Sequence, residues 1–228
     1  THLASSAASD VYKRQDLIYG LPHQTCETVS ETLSQVINLR PDRISLFNYA
    51  HMPELFKVQK QIDSAALPEP QEKLAMLHGA IDQLMSAGYV YIGMDHFALP
   101  DDELAKLQRS GNLHRNFQGY ATHGDCELLA FGVSAINAMG DVFAQNYKDV
   151  ESYQAALEKN QLPIAKGISL SQDDLIRQSI IRELICHFRL DFDAVDSKWK
   201  IDSRSYFANE LEALKPLAED GLVTLMNE

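Results

Sequence analysis

The stretch YVYIGMDH, residues 89–96, decides the fold because it joins a short apolar run to an acid and an imidazole. Valine, isoleucine and tyrosine favour β-structure, so the run predicts a strand that ends at Gly93. Polar groups at the end of a buried strand are costly unless they contact a ligand or one another. The stretch therefore predicts a strand end that belongs to a site, with a solvated Asp95-His96 pair as the alternative.

The residues before this strand alternate between strand and helix patterns. Residues 16–20 and 44–49 are rich in β-formers, and a helical pattern follows each of them. The first predicted helix begins after the N-cap Thr25, and the second runs from about Pro70 to Ala87. This order indicates parallel strands with right-handed crossovers. The predicted fold class is therefore α/β.

The chain divides into three parts. Residues 16–100 predict a partial (β/α) barrel, because three strands cannot close one. Residues 101–228 predict a segment that covers the substrate and a mostly helical, winged-helix-like domain, cut off at its end. Residues 1–15 open with small residues and lack the apolar core of a signal peptide, so we expect a non-native leader.

Composition excludes several classes of protein. A net charge of −12 argues against a protein that binds nucleic acid or an anionic membrane, since either would need a basic patch. The same charge is compatible with an anionic substrate only if positively charged residues surround the binding site. Three widely spaced cysteines predict neither a disulfide framework nor a metal site, and they favour a reducing cytoplasm.

Four blocks resemble the oxygen-independent coproporphyrinogen III oxidases, a family of radical S-adenosylmethionine (SAM) enzymes in haem biosynthesis. They are DLIYGLP at 16–22, FNYAH at 47–51, GMDHFA at 93–98 and HRNFQGY at 114–120. Asn146 and CHFRLDF at 186–192 fit the same family. The match runs from Asp16 to the end and covers roughly the second half of a family member.

The resemblance implies the later part of an incomplete radical-SAM (β/α) barrel, followed by the helical domain. It also implies the oxidative decarboxylation of two propionates of coproporphyrinogen III to vinyl groups, which gives protoporphyrinogen IX. A 4Fe-4S cluster and SAM would generate the radical that abstracts hydrogen from the propionate. The implied partners are this substrate, an electron donor and an electron acceptor, with no nucleic acid or membrane and a monomeric full-length protein.

The resemblance also assigns site residues. Asp16, Ala50 and Ile136 would contact SAM, and Phe117 with Gln118 would lie against cofactor or substrate. It names no catalytic residue and no metal ligand in this chain. The cysteine loop that holds the cluster and the glycine-rich SAM segment are absent, so the chain alone is expected to be inactive and its parent protein active. Residues 121–124, ATHG, replace the usual Thr-Thr-Gln-Gly, which puts local loop contacts in doubt.

Two alternatives remain open at this point. Haem chaperone paralogues share the barrel, but we do not expect them to carry the block NFQGY at 116–120. A metal-dependent barrel hydrolase could use Asp16, His51, Asp95 and His96 as ligands. That second alternative requires the four side chains to converge.

Overall fold

A computed structural model describes residues 13–117, 119–124 and 126–226. The chain forms two compact units, one up to Gly124 and one after it. Most of the predicted leader lies outside the described residues, but Arg14 and Gln15 already belong to the first strand. The division of function predicted between residues 100 and 101 stays a prediction.

The first unit is built on a four-stranded sheet. Its strands in chain order are β1 (Arg14–Tyr19), β2 (Arg43–Asn48), β3 (Val90–Gly93) and β4 (His96–Ala98). The spatial order is β1-β2-β4-β3. β1 and β2 are parallel as predicted, whereas β4 is antiparallel to both of its neighbours. The three predicted strands, β1, β2 and β3, therefore run in the same direction, but the unpredicted β4 lies antiparallel between β2 and β3 and makes the sheet mixed.

A tight turn explains this difference. Gly93 pairs with His96 across the ladder, so only Met94 and Asp95 connect β3 to β4. The backbone has positive φ at Gly93 (141°) and at Met94 (52°), and glycine adopts such a conformation without steric cost. Asp95 and His96 therefore lie at a hairpin turn, and not in a loop that follows a strand.

Helices cover one face of this sheet. They are α1 (Cys26–Leu39) and α2 (Pro70–Ser86). A third helix, α3 (Glu103–Ser110), contacts the edge strand β3. The predicted N-cap Thr25 is confirmed, since its hydroxyl accepts a hydrogen bond from the Thr28 amide at 3.3 Å. α1 and α2 enclose the core with Ile44 and Leu46 of β2. The buried stripe of α2 is Met76, Ala80 and Leu84.

The spacing of Leu74, Leu77, Ile81, Leu84 and Met85 predicts the buried face of α2, and this prediction is partly wrong. Leu74 and Met85 are half exposed, whereas Leu84 is buried as expected. After α3 the first unit ends in a small antiparallel hairpin of β5 (His114–Asn116) and β6 (Gly119–Ala121). The sequence predicted a loop there.

The second unit combines a sheet with five helices among its described residues. The antiparallel sheet has the order β7-β8-β9, from β7 (Ile136–Met139), β8 (Val142–Asn146) and β9 (Ile164–Ser169). The helices are α4 (Val150–Glu158), α5 (Gln172–His187), α6 (Phe192–Trp199), α7 (Ser203–Tyr206) and α8 (Ala208–Glu219). Neither this sheet nor α6 was predicted.

Details of the second unit confirm some predictions and correct others. The spacing of Ser171 and Asp174 predicts a capping box, and they form one at the start of α5. Apolar residues at every fourth position from Ile176 predict one buried face of α5; Ile176 is buried, but Leu184 and Phe188 are about half exposed. The pattern also predicts one last helix from about Ser203 to Leu217, but this helix is broken at Phe207, and residues 221–226 form no strand. Within the described residues, no helix has the length and apolarity needed to cross a membrane.

Candidate functional site

The sheet of the first unit has a second face, opposite its helices. Side chains alternate along a strand, so Leu17 and Leu46 point toward the helices and their neighbours point away. Asp16, Ser45 and His96 are register partners across β1, β2 and β4, and they form a polar row on this second face. Ser45 is fully buried, and its hydroxyl has no hydrogen-bond partner in the described chain.

Asp95 holds the ring of His96 in a fixed orientation. Their Oδ1 and Nδ1 atoms are 2.7 Å apart, and the side chains are 28% and 14% exposed. Burial alone would raise the pKa of Asp95, but the hydrogen bond and charge of His96, with the charge of Arg115, lower it below its usual value. Asp95 is therefore an acceptor, and Nδ1 carries the proton that it accepts.

The β5–β6 hairpin packs against this pair. The ring of Tyr120 meets the His96 ring edge-on, with centroids 5.4 Å apart. The Arg115 guanidinium lies 5.0 Å from the centroid of Tyr120. A Cβ built on Gly119 would lie 4.0 Å from His96 Nε2, so the hairpin backbone passes beside that nitrogen. The hairpin thus brings a cation and an aromatic ring to the Asp95–His96 pair.

Two phenols, the buried Tyr19 and the partly buried Tyr91, lie near the same carboxylate. Burial raises the pKa of Tyr19 and of Tyr91, and the negative charge of Asp95 raises both further. The hydroxyl of Tyr91 donates to the Met94 carbonyl at 2.7 Å and so fastens the turn. Both tyrosines stay neutral donors in the physiological range.

The structure does not unite the two SAM residues predicted in the first unit. Asp16 lies opposite Ser45 within the ladder, is half exposed, and pairs with Arg14 at 2.8 Å. Ala50 lies beyond the end of β2, and its carbonyl accepts a hydrogen bond from Gln59 at 3.1 Å. Asp16 therefore lies within the β1–β2 ladder, whereas Ala50 lies past the C-terminal end of β2.

The other predicted site residues are placed as follows. Phe117 lies at the turn of the β5–β6 hairpin and is 59% exposed. Gln118, its predicted companion, lies outside the described residues. Ile136 begins β7 in the second unit, where it pairs with Gln145. Their roles toward SAM or substrate stay predictions.

The sequence motifs gave no role to Arg115 and Tyr120. The signal was present, because only two residues separate HRN from GYA in the sequence, and this short spacing suits a hairpin. Such a hairpin makes Arg115 and Tyr120 cross-strand partners. What the sequence could not show is that this pair packs on His96.

The four proposed hydrolase ligands do not form a metal site. Among the described residues, which include all four, no group of three His, Cys, Asp or Glu side chains could hold an ion. His51 instead lies within hydrogen-bond distance of Tyr49 and Ser64. The hydrolase alternative is therefore not favoured.

Comparisons with known proteins agree with the blocks in the sequence. No family model matches the chain. The oxygen-independent coproporphyrinogen III oxidase of Pseudomonas aeruginosa is 52% identical over 210 residues, which cover 92% of this chain and 46% of that protein. Its namesake from Escherichia coli is 52% identical over 208 residues, or 91% and 46% of the two proteins.

A solved structure agrees as well. Coproporphyrinogen III oxidase from Escherichia coli, described as a radical SAM enzyme, matches with a TM-score of 0.91 at 50% identity. The match covers 94% of this chain and 50% of that one, so this chain spans about half the length of the relatives that it matches. The resemblance and the fold class predicted from the sequence are confirmed.

Proposed function

We propose that this chain is part of an oxygen-independent coproporphyrinogen III oxidase, which converts two propionates of coproporphyrinogen III to vinyl groups and yields protoporphyrinogen IX. The observation that carries the proposal is the identity of 52% with curated oxidases over 92% of the chain. The fold supports it, since the TM-score to a radical SAM enzyme is 0.91. The proposal concerns the whole protein, of which this chain contributes about half.

Residues of the chain are chemically suited to hold SAM, which when bound supplies the radical that abstracts hydrogen. The half-exposed Asp16 carboxylate can accept hydrogen bonds from ribose hydroxyls or an amine. The Ala50 carbonyl has one lone pair left after its bond from Gln59. Phe117 and Ile136 offer apolar surface for an adenine ring.

The cysteines of the chain do not fit an iron–sulfur cluster. Cys26 and Cys126 are exposed, Cys186 is buried, and the described residues contain no group that could hold a metal. Cluster ligation requires closely grouped thiolates. The ligands of the proposed enzyme would therefore come from outside this chain.

The remaining parts of the proposal concern partners. The substrate is an anionic porphyrinogen, and the enzyme needs an electron donor and an electron acceptor. Residues 101–228 would cover the substrate, and the full-length protein would act as a monomer. A haem chaperone is the less favoured candidate, because the curated relatives that are 52% identical to this chain are named as oxidases.

The test uses a full-length protein that carries this chain. It should be reconstituted anaerobically with iron and sulfide and incubated with SAM, a reductant, an electron acceptor and coproporphyrinogen III. We expect two carboxyl groups to leave as carbon dioxide and protoporphyrinogen IX to appear by chromatography. Haem binding without any vinyl formation would favour the chaperone and overturn the proposal.

A further inference from the structure

The Asp95–His96 pair leaves one ring nitrogen available. Nδ1 is engaged by Asp95 at 2.7 Å, whereas Nε2 has no hydrogen-bond partner among the described residues. Gly119 is the residue beside Nε2, and it has no side chain to cover that atom. Fixing one imidazole nitrogen with a carboxylate directs the other toward a ligand. His96 is therefore oriented to contact something that the described chain does not supply.

One nitrogen of Arg115 also lacks a hydrogen-bond partner among the described residues. Its Nη1 is buried without a hydrogen-bond partner in the described chain, although a buried guanidinium normally pairs with an acceptor. The described residues give Arg115 no ion pair, although its charge lowers the pKa of the nearby Asp95. The guanidinium lies over the ring of Tyr120. Its buried Nη1 is thus left for an acceptor outside the described residues.

Tyr120 brings His96 and Arg115 together. Its ring contacts the imidazole of His96, with centroids 5.4 Å apart, and the guanidinium of Arg115 lies 5.0 Å from the centroid of the same ring. The β5–β6 register places Arg115 opposite Tyr120 and so favours this contact. The imidazole and the guanidinium therefore contact the same aromatic ring.

We propose that the Arg115 guanidinium, beside the ring of His96, forms a carboxylate-binding subsite that takes one propionate of the substrate. His96 Nε2 donates to that carboxylate when the ring is the imidazolium, which carries a proton on both nitrogens. The inference rests on the proposed function for the identity of the carboxylate. A planar guanidinium matches a carboxylate in a forked geometry that lysine cannot reproduce. The subsite also answers the charge problem, since a chain with a net charge of −12 needs local cations to bind an anion. Asp95 is a positioning residue.

Binding of coproporphyrin III, the stable oxidised form of the substrate, tests the subsite. Fluorescence titration should compare a full-length protein that carries this chain with its Arg115→Gln, Arg115→Lys and His96→Gln variants. Arg204→Gln is the matched control, because Arg204 also lies over a ring, that of Phe192 at 4.9 Å, but belongs to the second unit. The tetramethyl ester, which lacks carboxylates, serves as the control ligand. Circular dichroism melts verify that each variant is folded.

The outcomes separate the subsite from the proposed function. We expect Arg115→Gln to weaken binding about 10- to 100-fold, as loss of a charged hydrogen bond does, with a smaller loss for Arg115→Lys and none for Arg204→Gln. Binding of the ester should be weak and insensitive to Arg115. If the full-length protein binds coproporphyrin III and folded Arg115 variants bind it equally well, the subsite is overturned and the proposed function stands. If the unchanged full-length protein does not bind it, the subsite and the proposed function both fail.

Discussion

The carboxylate of Asp95 lies 2.7 Å from Nδ1 of His96, although the two residues are adjacent in sequence. Neighbouring side chains on a strand point to opposite faces, so a regular strand would separate them. The turn between β3 and β4 removes this restriction, because Asp95 is the last turn residue and His96 the first of β4. The tight turn at Gly93 is therefore what creates the pair.

The pair predicts a specific loss of stability in acid. The pKa of Asp95 in the folded state is below its unfolded value of about 3.9. The ionised carboxylate therefore stabilises the folded state above that pH, and this stabilisation is lost as the pH falls through the folded pKa. Asp95→Asn removes this contribution. Urea unfolding from pH 6 to pH 2 should show a shallower loss for Asp95→Asn than for the unchanged chain. Asp101→Asn, which changes an exposed carboxylate, is the control. The prediction would be contradicted if the unchanged chain and both variants lost stability equally steeply with falling pH.

Gly124 is predicted to tolerate no side chain. A Cβ built there would lie 1.9 Å from the ring of His114 in β5, far inside contact distance. The ring or the backbone would have to move, and overpacking of this kind costs about 1–3 kcal/mol. Gly124→Ala should therefore lower the free energy of unfolding of the first unit by about 2 kcal/mol, measured by urea denaturation.

Gly79 supplies the matched control for that substitution. It lies within α2, and a Cβ there would meet nothing within 4 Å. Alanine costs less backbone entropy than glycine in a helix, so Gly79→Ala should stabilise the chain by about 0.5–1 kcal/mol. If Gly124→Ala were as harmless as Gly79→Ala, the close contact with His114 would be refuted.

The sequence predicted local structure better than the assembly of the first unit. Thr25, Ser171 and the limits of α2 were found because caps and helix breakers act through neighbouring residues. β4 was missed because three residues carry no measurable periodicity, and its place between β2 and β3 depends on long-range pairing.

The candidate site shows the same limit. The motif blocks pointed to Asp95, His96 and Phe117, but not to the contact of Tyr120 with His96, because that contact joins residues far apart in the chain. Leu184 and Phe188 show the converse error. They recur at helical spacing from the buried Ile176, yet both are about half exposed. Periodicity in a sequence shows which residues lie on one face of a helix, but it does not show which other part of the protein covers that face.

β1 is predicted to promote self-association of this chain. It is an edge strand of the described four-stranded sheet, and its Ile18 is 48% exposed. Unpaired edges with apolar side chains recruit strands of other molecules, and lysine on an edge opposes this. Ile18→Lys should reduce light scattering by the isolated chain severalfold. Leu157→Lys, at a helical residue with 47% exposure, should change it little; an equal reduction by both would attribute the effect to charge alone.

The isolated chain is predicted to take up no iron–sulfur cluster. Cys26, Cys126 and Cys186 do not form a ligand group among the described residues. After anaerobic reconstitution with iron and sulfide and removal of excess reagents, we expect less than about one tenth of a cluster per chain, by absorption and iron analysis. The Cys26→Ser variant should behave identically. Stoichiometric, cysteine-dependent uptake by monomeric chain would refute the prediction.

Phe117 is predicted to serve turnover more than stability. It is 59% exposed at the hairpin turn, and substitutions at exposed positions change unfolding free energies by only about 0.5 kcal/mol. If its ring positions SAM or the propionate, its loss disturbs a reactive geometry, where small displacements cost about 100-fold in rate. In a full-length protein, Phe117→Ala should keep the melting temperature and cluster content while vinyl formation falls about 100-fold or more.

Phe131→Ala is the control for this substitution, because Phe131 is 91% exposed. It should leave the melting temperature, the cluster content and the rate of vinyl formation unchanged. Normal turnover in folded Phe117→Ala would remove Phe117 from the site.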